Sequence, residues 1–187
     1  MGIKRYKADA DNTIVNAYQS DLNTRGTGSN SGQSDIMEVY SIYARQTPSS
    51  SAAAGSQELS RILVKFPISD ISTDRTAGTI PASGSVSFYL RLFASKSTKT
   101  VPKDYKLVAQ GVSTEWEEGD GMDLENYSDL TYDGVGSNWI NASGNNGDVA
   151  EGPGKWTTVG GDYHASPTYV QHFSSGLGDL ELDISGL

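Results

Sequence analysis

Apolar residues along this chain recur at every second position, in short runs broken by Gly, Pro, Ser and Asn, and helical spacing is almost absent. In "SVSFYLRLF", Val86, Phe88, Leu90 and Leu92 share one side, while Ser85, Ser87, Tyr89 and Arg91 share the other. That is the pattern of a strand with one face in a core. "LELDI" repeats it, with Leu180, Leu182 and Ile184 inward and Glu181 and Asp183 outward. "RILVKF", Arg61 to Phe66, is a nearly continuous apolar run ended by Pro67, which predicts a central strand whose continuation leaves the sheet. "TIVNAY", "DIMEVYSIY", "YKLVAQGV" and "TYVQHF" read as further strands, about seven or eight in all, enough for two packed sheets. The expected fold is all-β: an antiparallel two-sheet sandwich, jelly-roll-like, with long surface loops and a single domain over residues 1–187. "RGTGSNSGQSD" reads as a flexible, turn-rich loop, and "RQTPSSSAAAGSQ" (residues 45–57) as a low-complexity surface loop.

Composition narrows the function classes. A length of 187 residues suits one domain, and ten Tyr with four Phe supply the buried area that disordered chains lack. The formal net charge of −9 is unevenly placed: ten acids and no Lys or Arg lie between Lys106 and Lys155, so the remainder is close to neutral. That segment repels polyanions, which argues against nucleic acid as a partner. The absence of cysteine excludes disulfides, thiolate metal sites and a cysteine nucleophile. No apolar run of signal-peptide or membrane-span length appears, so synthesis in the host cytoplasm without membrane insertion is expected.

The densest candidate chemistry lies between Ser113 and Trp139, with eight carboxylates and two tryptophans. A carboxylate pair, with Glu118 or Asp120 in it, would suit glycoside hydrolysis if both acids were fixed on rigid elements facing one cleft. The "GDG" and "YDG" flanks point instead to a turn-like, solvated loop. Asp120, Asp123 and Glu125 are candidate ligands for a structural calcium, although their spacing departs from the EF-hand loop. Trp116 and Trp139 are expected to anchor the long loop against the core. Trp156 and Tyr163, beside "GGD", are expected on the surface as a carbohydrate-binding platform. His164 and His172 lack a nucleophile elbow or a third metal ligand at recognisable spacing. "RGTGSNSG" has neither the glycine spacing nor the following helix of a phosphate-binding loop. "NYS" and "NAS" match the glycosylation pattern but lack a secretion signal.

Taken in order, "ADADNTIVNAY", "GSNSGQSDIMEVYSIY", "RILVKFPISDI", "SVSFYLRLF", "VSTEWEEG" with "SNWINAS", and "DLELDIS" resemble the DNRLRE-type β-sandwich domains. That family places an Arg-led apolar strand, an "A-x-L-x-L-Y" strand, a "V-x-x-x-W-x-E-G … W" segment and a "V-D-I-T" strand in the same succession. The resemblance implies a jelly-roll-like module used without catalysis, as an accessory or carbohydrate-binding domain. Together with the unexported N-terminus and the Ser/Ala-rich loop, it also resembles structural proteins of tailed-bacteriophage virions. The family continues beyond its "D-I-T" strand, whereas this chain stops at Leu187, so the final strand is expected to be missing or supplied by a partner. The expectation is therefore a non-enzymatic decoration, tail- or neck-associated protein located in the virion. It would contact other virion proteins and copies of itself, with a module that binds host-cell polysaccharide as the alternative. No cofactor is expected apart from the candidate calcium.

Overall fold

The run around "RILVKF" is central, as its unbroken apolar character predicts. In a computed structural model describing residues 2–44, 56–96, 102–123, 136–144, 154–174 and 178–187, strand β3 (Ser56–Lys65) lies between β1 (Ala10–Val15) and β2 (Ser41–Ala44). Both pairings are antiparallel, with Thr13 opposite Ile62 and Ser41 opposite Leu59. Two two-stranded antiparallel sheets follow. One joins β4 (Tyr89–Leu92) to β7 (Leu180–Asp183), and the other joins β5 (Tyr105–Ala109) to β6 (Tyr169–Phe173). Among the described residues the protein is all-β and antiparallel apart from one short helix.

That helix, α1 (Ile68–Thr76), begins directly after Pro67 and buries none of its residues. It is held by an ion pair from Lys4 Nζ to Asp74 at 3.0 Å and by its own end groups. Asp70 in the first turn and Arg75 in the last complement the helix dipole. The amide of Thr79 donates to Asp74 O at 2.9 Å and that of Gly78 to Arg75 O at 3.1 Å, a Schellman ending that needs the left-handed φ of +73° at Gly78. No apolar stripe announces this helix, so only its punctuation was visible in the sequence.

The chain divides into two compact units. Unit 1 comprises Met1–Arg5, Ile68–Ser113 and Tyr163–Leu187; unit 2 comprises Tyr6–Pro67 and Thr114–Asp162. In unit 1, Phe173, Leu180 and Leu182 are buried together, with Leu90, Leu92, Leu107 and Tyr169 packed against them. The alternation read from the sequence sets these faces: Leu180 and Leu182 lie inside, and Glu181 and Asp183 outside. Tyr105 stacks on its cross-strand partner Phe173, with ring centroids 4.8 Å apart. In unit 2, Ile14 and Leu63 from the central pairing meet Trp116, Trp139, Trp156 and Ala142.

The eight Lys and Arg of unit 1 face six Asp and Glu, while unit 2 carries six against seventeen. The chain's −9 thus divides into +2 and −11.

Candidate functional site

The acidic stretch is built onto the core of unit 2 through asparagines. Asn12 and Asn30 are both fully buried. A buried amide must satisfy two donors and an acceptor, so each side chain can tie several backbone segments together. Asn30 Nδ2 donates to Glu118 O and to Ser137 O, each at 2.7 Å, while its Oδ1 accepts from the Gly121 amide at 2.8 Å and the Gly32 amide at 3.2 Å. Asn12 Nδ2 donates to the carbonyl and hydroxyl of Ser137, both at 2.8 Å, and its Oδ1 accepts from the Ser31 amide at 2.9 Å. Main-chain bonds close the frame: Asp123 N to Asn30 O, Gln33 N to Gly121 O, and Ser137 N to Glu117 O.

The backbones approach closely enough to require glycine. A Cβ on Gly121 would lie 2.4 Å from Asn30 O, and one on Gly32 would lie 2.4 Å from Glu118 O. The segment Gly28–Gly32 is consequently interior, with Ser29, Asn30 and Ser31 at most 2% exposed. This corrects the expectation of a flexible, turn-rich loop for "RGTGSNSGQSD". The hydropathy of the segment is that of a loop, but its amides from Ser29 to Gly32 are all bonded internally, while the buried hydroxyls of Ser29 and Ser31 have no partner among the described residues. Asn12, Asn30, Ser137, Asn138 and Asn141 are the residues that sequence reasoning missed. Their only signal was the recurrence of "SN" and "NA" beside glycine, which turns produce equally well.

The carboxylates divide by position. Glu117 and Asp120 are exposed, and Glu117 Oε2 accepts from the Gly144 amide at 3.0 Å. Glu118 is half-buried, and its Oε1 accepts from the Asp11 amide at 2.8 Å, occupying an outward N–H of β1. Asp123 is only 4% exposed, and its Oδ2 accepts from the Asn30 amide at 3.2 Å. Within the solvated loop expected for this stretch, Asp123 is the exception: it is buried, with its amide bonded to Asn30 O. Burial, and secondarily the Glu118 carboxylate, hold the Asp11 carboxyl above the ordinary aspartate range. Burial works against the charge on Asp162, but the amides of Thr157 and Thr158 and the hydroxyl of Thr114 outweigh it and hold this carboxyl low.

Of the candidate calcium ligands, Asp120 points to solvent, Asp123 is turned to Asn30, and Glu125 lies outside the described residues. Among the described residues, no three His, Asp or Glu side chains stand close enough to hold a metal ion together. A shallow, open hollow on α1 is lined by Ser72, Thr73, Thr76 and Ala77, which carry hydroxyls but no titratable group.

Trp116 and Trp139 are 8% and 7% exposed and share the core of unit 2. The Arg61 guanidinium lies 5.1 Å from the ring centre of Trp139 and also donates to Gly160 O. Trp156 does not form the expected surface platform. It is 3% exposed, packs in the same cluster and donates its indole N–H to Asn138 O at 2.8 Å. Tyr163 belongs to the other unit and remains 46% exposed beside its bridge partner Val112. His164 and His172 are exposed. Asn141 of "NAS" is buried, which leaves no room for a glycan, and "NYS" lies outside the described residues. No described helix is long and apolar enough to cross a membrane.

No protein-family model, curated protein or solved structure matches the chain.

Proposed function

We propose that this chain is a non-enzymatic structural or accessory protein of a bacteriophage particle, acting through assembly contacts. The observation that carries the reading is how the acid-rich stretch uses its groups. Glu118 and Asp123 accept main-chain N–H bonds that hold loops together, and Trp116, Trp139 and Trp156 fill the core. Side chains committed to the frame favour a rigid building block over a reaction centre. Catalytic carboxylates are needed free to exchange protons with substrate. The resemblance to DNRLRE-type modules points the same way, as does negative charge that keeps particles dispersed. Quantitative mass spectrometry of purified particles tests the proposal. The chain should be present at a stoichiometric copy number, and its absence from washed particles would overturn the reading.

One observation favours a polysaccharide-binding module as the second reading: Tyr163 presents an exposed aromatic face. Glycan-array binding that disappears in Tyr163→Ala, with the fold intact, would support it. An array without reproducible binding would remove it.

A further inference from the structure

The structure places an apolar, cation-flanked sheet face in unit 1 and a rigid, acid-flanked apolar knob in unit 2. On the outward face of the β5–β6 sheet, Val108 pairs with Val170 and Lys106 with His172. The two valines are 51% and 41% exposed, whereas their strand neighbours Leu107 and Tyr169 pack inward. This β-branched cross-strand pair is a small apolar surface that a partner side chain can cover.

In unit 2, Met122 is 70% exposed, and the exposed acid Asp120 lies two residues before it. Its backbone is not free to swing. On one side the Gly121 amide is held by Asn30 Oδ1, and on the other the Asp123 amide is held by Asn30 O. A flexible thioether on a fixed base adapts its shape to a partner while losing little backbone entropy.

The geometry points to a second copy of this chain as the occupant of the valine face. Met122 of one copy seats on Val108 and Val170 of the next, with Asp120 turned toward Lys106. Charge complementarity selects a second copy, because unit 2 carries −11 and the unit bearing the valine face carries +2. Opposite potentials steer the encounter and fix its orientation. The two surfaces differ, so the contact is head-to-tail, and repetition gives a ring or a filament. The inference names the partner within the assembly reading above and rests on it.

Sedimentation velocity on the full chain tests it with two variants, Val108→Asp and Met122→Asp, each at an exposed position and each checked for an unchanged melting temperature. The wild type is expected to associate progressively with concentration, and less so at high salt. Each variant alone should remain monomeric. Mixed one to one, they should form a dimer and nothing larger, because one intact pair of surfaces survives. The inference is overturned if the wild type is monomeric throughout the series or if either variant associates like the wild type. It is equally overturned if mixing restores nothing. A monomeric wild type that is still stoichiometric in particles removes this contact and leaves the assembly reading standing.

Discussion

Asn12 on the first strand and Ser137 lie 125 positions apart in sequence, yet the Asn12 amide bonds both the carbonyl and the hydroxyl of Ser137 at 2.8 Å. With the parallel role of Asn30, this makes buried amide chemistry, and not only apolar packing, the fastening of unit 2.

Replacing Asn30 should therefore cost more than a typical polar substitution. Asn30→Ala strands the Glu118 carbonyl and the Gly32 and Gly121 amides and leaves Ser137 O to Asn12 alone, a loss of about 3 kcal/mol or more by the cost of orphaned buried groups. Asn30→Asp keeps the shape but turns an acceptor toward Glu118 O and Ser137 O. It should destabilise at least as much at neutral pH. Urea denaturation of both variants checks the order.

Glycine positions separate close approach from backbone strain. Gly32→Ala drives a methyl into the carbonyls of Glu118 and Gly119, which are backbone and cannot rotate away, costing about 2–3 kcal/mol. Gly78→Ala meets no atom within 4 Å and incurs only the left-handed strain, about 1 kcal/mol. Thermal melts of the two should differ accordingly.

Trp156 contributes to stability through both ring and indole nitrogen. Trp156→Ala empties part of the core and should cost about 3–5 kcal/mol. Trp156→Phe retains much of the packing but leaves Asn138 O unpartnered, so an intermediate loss of about 1–3 kcal/mol is expected. Chemical denaturation followed by far-ultraviolet circular dichroism distinguishes the two.

Two carboxyls give opposite pH signatures. Asp11 has a raised folded-state pKa, so the folded chain takes up its proton first; the charge is unfavourable at neutral pH and the penalty fades as pH falls. Asp11→Asn should stabilise the fold slightly at pH 7, by no more than about a few tenths of a kcal/mol after solvent screening, read as a small rise in melting temperature. That gain should vanish near about pH 4, the ordinary aspartate range. Asp162 has a lowered value, so its stabilisation is present above the ordinary range and is lost as pH falls through the folded value. Asp162→Asn should melt lower at pH 7 and converge on the wild type in acid.

The strands were legible because each carries its own local pattern, period-two alternation in β4 and β7 and an apolar run in β3. β4 and β7 fall on "YLRL" and "LELD", and the apolar run of β3 marks the middle of its sheet. The partition into two units was not legible, because the segments of each unit are far apart in sequence. The buried position of Gly28–Gly32 was hidden for a different reason. A polar segment is normally placed outside because water satisfies its groups, and only the partner asparagine amides, invisible to local pattern, make an interior location affordable. Trp156 was misplaced because the flanking glycines of "VGGD" suggested a surface turn. The turn exists, but Gly160 is itself buried against Trp139 and Arg61.

Amide hydrogen exchange resolved at Asn30, Gly121, Asp123 and Ser137 tests most directly whether the acid-rich stretch is part of the frame. Protection comparable to that of Ile14 and Leu63 in the β1–β3 pairing is predicted. Exchange at the rate of an unstructured chain at these four amides, with β1 and β3 still protected, would contradict the account.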